Sequence, residues 1–153
     1  MEFSQIIFEV SDGIATITLN RPKAKNALAA PMRQELAEAL KIIREKAGDE
    51  IRVVILTGAG GAFCAGGDVK SMGSRLKSAT MAREALRDDH QKMLDLMNLE
   101  VPVITLLDGA AAGAGANIAL AADFVLATPA GFLMQAFVRI GLIPDWGGMY
   151  ILP

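Results

Sequence analysis

Two stretches of this chain carry residue types that can do chemistry. In the first, Asp108-Gly109-Ala110-Ala111-Ala112-Gly113-Ala114-Gly115-Ala116-Asn117 follows a short apolar run. Glycines and alanines in such a place let the backbone approach a ligand and aim bare N–H groups at it, as an oxyanion hole requires. In the second, Gly141-Leu142-Ile143-Pro144-Asp145-Trp146-Gly147-Gly148 sets one carboxylate, Asp145, among apolar residues, where it is a candidate proton carrier. A further glycine-rich stretch, Thr57 to Asp68, also follows an apolar run. Either glycine loop alone reads equally well as a tight strand-to-helix connection; their pairing is the signal. Neither has the spacing of a dinucleotide fingerprint or a Walker loop, which disfavours nucleotide hydrolysis.

The elements that must position these residues follow from periodicity. Ile6 to Val10, Ile14 to Leu19, Val53 to Leu56, Val103 to Leu107 and Phe124 to Ala127 are short apolar or β-branched runs bounded by turn formers, as strands are. The first two are joined through Ser11-Asp12-Gly13 and predict a hairpin. Met32, Leu36, Ala39, Leu40, Ile43 and Ala47 share one helical face, with Pro31 at the start and Gly48 at the stop. A second helix is expected from a Thr80 cap to about Asn98, burying Ala82, Leu86, Met93 and Met97. A third is expected to begin within Gly113 to Asn117 and run to Ala122. Strands alternating with helices imply right-handed crossovers and a largely parallel sheet, with ligands at the carboxyl ends of the strands.

The 153 residues are 52% hydrophobic, enough for one cored domain spanning 1–153. Fifteen basic against seventeen acidic residues leave a net charge of -2, which argues against nucleic acid or a membrane surface as partner. One cysteine, Cys64, cannot pair internally, and no signal peptide or membrane span is visible, so a cytoplasmic setting is expected. Cys64 has no metal-ligand spacing to any other Cys or His and reads as a buried structural thiol.

Three motifs, in order, carry a resemblance. Ile17-Thr18-Leu19-Asn20-Arg21-Pro22 with Asn26-Ala27-Leu28, then Ala62-Phe63-Cys64-Ala65-Gly66-Gly67-Asp68-Val69-Lys70, then Gly109 to Gly115, together resemble the crotonase (enoyl-CoA hydratase/isomerase) superfamily. The resemblance implies an α/β fold, a ββα spiral core with largely parallel sheets. It implies an acyl-CoA thioester as substrate, with coenzyme A a part of it and no other cofactor, and assembly into homotrimers or homohexamers of the full-length chain. The chain stops at Trp146-Gly147-Gly148-Met149-Tyr150-Ile151-Leu152-Pro153, which reads as the opening turn of another helix; a truncated core without the family's C-terminal helical region is therefore expected.

By the same resemblance the Gly67 and Ala114 N–H groups hold the thioester oxygen, and the helix after Ala114 adds a favourable dipole. Substrate contacts are implied at Lys23, Lys25, Ala27, Ala65, Gly66, Asp68, Val69, Lys70, Gly113 and Phe137, the lysines as diffuse phosphate contacts or simply solvated side chains. Asp68 also reads as the cap of a helix starting at Val69. The two glutamates of the family's hydratases fall at Asn117 and Phe137, neither able to carry a proton, which counts against hydration by that route.

Asp145 resembles instead the lone aspartate of the phenylacetate-pathway ring-opening isomerase subgroup, with Phe137, Ile143 and Trp146 expected to raise its pKa. Its plainer role is to cap the helix after it, and the two can coexist. His90, the single histidine, reads as packed on the apolar side of the second helix, although its position also resembles the aroyl-CoA dehalogenase branch. Met72, Met81 and Met134 are core fillers or acyl-pocket residues alike. The leading expectation is an acyl-CoA isomerase. A hydratase or dehalogenase, and a non-catalytic acyl-CoA-binding fragment, are its rivals.

Overall fold

A computed structural model describes residues 3–75 and 77–152. The hairpin forms as expected: β1 (Ile6–Ser11) pairs antiparallel with β2 (Ile14–Leu19) in a register that closes at Ser11 and Ile14. The two turn residues, Asp12 at φ 54° and Gly13 at φ 83°, have the left-handed backbone that twists a two-residue hairpin correctly. Onto β2 are laid β3 (Val53–Gly58), β5 (Val103–Leu107) and β7 (Phe124–Ala127), all parallel, in the order β1-β2-β3-β5-β7.

A second sheet was not legible as strands in the sequence. It consists of β4 (Ala62–Cys64), β6 (Ala110–Ala112) and β8 (Phe132–Met134), parallel in the order β4-β6-β8. Each of these short strands comes a few residues after a strand of the large sheet. The chain thus repeats one motif: long strand, tight turn, short strand. Sequence similarity between the repeats is absent because what recurs is the turn, and the short strands are too brief to show a period of two.

Helices cross between these units. The first, α1 (Ala30–Lys46), begins with Pro31 in its first turn and buries Met32, Leu36, Ala39, Leu40 and Ile43, as the periodicity predicted. It is followed by α2 (Val69–Arg75), α3 (Ala79–Met97), α4 (Ala114–Leu120) and α5 (Gly148–Ile151), the last being the foreseen opening turn; Pro153 lies outside the described residues, as does the side chain of Met72. Among the described residues no helix is long and apolar enough to cross a membrane.

Two expectations for α3 need correction. Its cap is Ser78, whose side chain accepts the Met81 N–H at 3.2 Å, rather than Thr80. Its buried stripe is Asp89, Lys92, Met93 and Leu96, whereas Leu86 and Met97 are 39% and 38% exposed. The amino-terminal half of this helix borders open space instead of core, so apolar spacing there did not mean burial. His90 consequently is exposed and not packed.

The core lies between the large sheet and α1, with Ile17, Leu19, Leu28, Met32, Leu36, Leu56 and Phe63 at most 1% exposed. One buried carboxylate fastens the chain's beginning to it. Glu35 of α1 accepts the Ser4 hydroxyl at 2.6 Å and the N–H groups of Ser4, Gln5 and Ile6 at 3.0, 2.8 and 3.0 Å. Burial pushes its pKa up, but the Ser4 hydroxyl and then the three N–H donors outweigh it, so the net shift is downward. Cys64 is different: burial pushes its thiol up to about 12, and its Sγ donates to the Asn26 carbonyl at 3.1 Å.

A carboxylate whose folded pKa is depressed contributes stability above its unfolded value, about 4.3, and loses it as pH falls toward the folded value. Glu35→Gln should therefore lower Tm at pH 7 and flatten its fall between pH ~5 and ~3, and Glu35→Ala should cost about 3 kcal/mol in denaturant unfolding. Iodoacetamide should leave native Cys64 unmodified at pH 8 and alkylate it once the chain is unfolded.

Candidate active site

The first glycine loop leaves β4 at Cys64 and is pinned to the segment before α1. Ala65 donates to the Lys25 carbonyl at 2.9 Å, Leu28 to the Gly66 carbonyl at 2.8 Å, and Asp68 to the Leu28 carbonyl at 3.4 Å. These bonds form a parallel bridge between Leu28 and Gly67 that uses the amides on either side, leaving the Gly67 N–H out of it. The second loop leaves β6 at Gly113, whose N–H donates to the Met134 carbonyl at 2.8 Å, and α4 starts at the next residue. Ala114 stands in the first turn of that helix, where an N–H has no intrahelical acceptor.

The two loops interlock at backbone distance. A Cβ on Gly66, which has φ 90°, would lie 2.6 Å from the Ala112 carbonyl oxygen; one on Gly115 would lie 2.4 Å from that of Cys64. No other residue type fits at either place. The close approach brings Gly67 and Ala114 to the wall of one cavity of about 270 Å³, which Ala65, Gly66, Val69, Gly113, Phe137 and Asp145 also line. Phe137, 6% exposed, lies with its ring over Gly113.

Asp145 is half-buried and held through its main chain. Its carbonyl accepts the Asn117 side-chain amide N–H at 2.7 Å and the Gly148 N–H at 2.9 Å, while the Asn117 side-chain Oδ1 accepts the Gln135 side-chain amide at 2.8 Å. Asn117 is fully buried, with both ends of its amide engaged, so it ties α4 to the Asp145 loop. The N-cap position of α5 is Gly147, two residues after Asp145. Asp145 also lines a second cavity, about 410 Å³, together with Leu86, His90, Ile143 and Tyr150. His90 and Asp145 thus share a space, in place of the packed histidine that the sequence suggested.

Other expected residues sit outside both cavities. Asp68 accepts the Lys70 N–H at 3.2 Å, as a cap does, and pairs with Arg21 at 3.1 Å. Arg21 also donates to the Ala27 carbonyl. Lys23, Lys25 and Lys70 are exposed, on and beside the strands of chain that bracket the first loop. Sequence reasoning missed Arg33 and Asp89, 5% and 2% exposed, whose side chains approach to 3.7 Å where both line the smaller cavity. The signal was present: Asp89 falls four residues before Met93 on one helical face, and Arg33 adjoins the buried Met32.

Residues 9–153 match the model of the enoyl-CoA hydratase/isomerase family. The chain is 45% identical over 154 residues to a probable enoyl-CoA hydratase of Rhodobacter capsulatus, covering 100% of this chain and 57% of that protein. It is 39% identical over 155 residues to the 1,2-epoxyphenylacetyl-CoA isomerase of Escherichia coli, covering 100% and 58%. The crystal structure of an enoyl-CoA hydratase/isomerase from Cupriavidus metallidurans superposes with a TM-score of 0.90 at 33% identity, over 100% of this chain and 57% of that one. The chain therefore spans a little over half the length of these relatives. With two interlocked glycine loops leaving the strands of its small parallel sheet, the chain belongs to the enoyl-CoA hydratase/isomerase family of the crotonase superfamily.

Proposed function

We propose that this chain carries the machinery of an acyl-CoA isomerase that moves a double bond or opens a strained ring. The observation that supports it is the single cavity lined by Gly67, Ala114 and Asp145. In this reading the Gly67 and Ala114 N–H groups hold the thioester oxygen. Asp145 takes a proton from the carbon α or γ to the carbonyl, the electron pair of the broken C–H bond passes to that oxygen as an enolate, and Asp145 returns the proton to the other carbon as the double bond re-forms. Each oxyanion donor is worth about 2.7–4 kcal/mol of transition-state stabilisation. No metal or redox group enters these steps, and coenzyme A comes with the substrate.

The hydratase glutamate positions, Asn117 and Phe137, support isomerisation over hydration: one is consumed in holding the Asp145 loop and the other is apolar. Lys23, Lys25 and Lys70, placed around the first loop, are proposed as contacts for the coenzyme A phosphates. Ala27, Ala65, Gly66, Asp68, Val69, Gly113 and Phe137 are proposed as the acyl-CoA-contacting shell, with Asp68 acting by shaping the loop. A homotrimer or homohexamer in the cytoplasm is the proposed setting of the whole protein. A second reading, hydrolytic or hydrating chemistry by Asp145 with His90, is favoured by the cavity they share; a hydrated product or released halide identifies it.

On a 3-enoyl-CoA in D₂O, Asp145→Asn should keep ester binding within about 3-fold and lower the rate of double-bond migration, read by NMR, by about 10²–10⁴-fold. Unchanged migration removes Asp145 from the mechanism. Asn117→Ala should lower kcat by about 10–10² with little change in KM, because a reacting group displaced by about 1 Å loses that much; equal activity would mean that the tether to the Asp145 carbonyl does not position the carboxylate.

A further inference from the structure

The lining of the smaller cavity includes a charged pair that the mechanism above does not use. Arg33 comes from the first turn of α1 and Asp89 from the buried face of α3; their side chains stand 3.7 Å apart at 6% and 3% exposure. Arg33 is anchored besides by donating to the Leu28 carbonyl at 2.8 Å. Leu28 is the residue whose N–H grips Gly66, so the pair is built onto the segment that shapes the first oxyanion loop. Asp89 lines both cavities, and in both it is accompanied by Asp145.

Such a pair is a poor device for holding two helices together. Taking two charges out of water costs several kcal/mol per ion, and apolar residues of similar volume commonly serve as well or better. A buried cation on α3, Lys92, is placed differently. Lys92, its side chain 6% exposed, pairs with the exposed Asp88 at 2.6 Å and lines neither of these two cavities. Arg33 and Asp89 are kept at the cavity wall beside Gly66, Gly67 and Ala114. Among the described residues, the other titratable groups lining these cavities are Arg139 in the smaller and His90 and Tyr150 in the larger.

We propose that Asp89, positioned by Arg33, is a second proton-handling carboxylate of this site, serving one end of the acyl three-carbon unit while Asp145 serves the other; this rests on the isomerase reading above and divides between two carboxylates the proton transfers given there to Asp145 alone. Asp89 takes the proton from one carbon as the C–H electron pair moves to the thioester oxygen. Asp145, in its acid form, gives a proton to the other carbon as the enolate collapses and the double bond re-forms. A proton passing from Asp89 to Asp145 through solvent restores both groups, so no oxidant or co-reactant is needed. The reverse direction uses the same two groups with the roles exchanged. This restores to the site a pair of carboxylates, drawn from α3 and the Pro144–Trp146 loop instead of the glutamate positions at Asn117 and Phe137.

The test follows deuterium at the α and γ carbons separately, by NMR, during turnover of a 3-enoyl-CoA in D₂O by the chain as it stands. Asp89→Asn should slow migration by about 10²-fold or more while exchange at one of the two carbons stays within about 3-fold of wild type, and Asp145→Asn should spare the opposite carbon. Because Asp89→Asn leaves Arg33 without its counter-charge, the doubly changed Arg33→Gln, Asp89→Asn chain is measured beside it, with ester binding and thermal melting checked for both. Migration within about 3-fold of wild type in either variant overturns the proposal, as does equal loss of exchange at both carbons together with loss of ester binding, which marks a structural pair. Wild-type chain that binds the ester and exchanges neither carbon overturns the isomerase reading itself.

Discussion

Everything at this site depends on two polypeptide backbones meeting with no side chains between them. Gly66 sits against the Ala112 carbonyl and Gly115 against that of Cys64, at distances where even a methyl group would overlap. This contact fixes the separation of the Gly67 and Ala114 amides, because each is the residue next to an interlocked glycine. A pair of N–H groups set by packing costs no reorganisation when charge develops on a ligand oxygen, which is what makes preorganised amides effective. The short β4-β6-β8 sheet is the frame that brings the loops to this distance, since each loop leaves directly from the end of one of its strands.

Around that contact the chain uses buried polar groups as fasteners. Glu35 gathers the N–H groups of residues 4–6, Asn26 takes the Ala59 and Ala62 carbonyls through its side-chain amide, and Asn117 joins α4 to both Gln135 and the Asp145 loop. Each joins segments far apart in sequence, and each gains strength from the low dielectric around it. The Asn117 bond is the one that holds the Asp145 main chain. Asp145 lies in a loop with Trp146 and Gly147 in left-handed conformations, and a carboxylate on such a loop is placed only as well as its main chain is held.

Much of this was legible in the residues. The five strands of the large sheet, the hairpin turn, α1 with its buried face, and the two glycine-rich loops followed from periodicity and turn chemistry; Asp145 was singled out as a lone carboxylate among apolar residues, and it lines one cavity with Gly67 and Ala114. The errors have a common cause. For α3, the expected apolar stripe of Leu86 and Met97 gave way to one containing Asp89 and Lys92, because the helix borders cavities along one side and local spacing does not report what lies opposite. His90 and the buried charges Arg33 and Asp89 were misplaced or overlooked for the same reason.

By itself, then, the sequence determined which segments extend, which coil, and where the backbone is bare enough to approach itself. Those are properties of a few neighbouring residues: β-branching, helical spacing, the missing Cβ of glycine. Only the tertiary structure decided which bare amides face one cavity, that Asn117 serves the Asp145 main chain, and that an arginine from α1 meets an aspartate from α3 at its wall. These outcomes join residues tens of positions apart, and they are set by how helices and two sheets pack at close-packed density, a constraint that no local window of sequence contains.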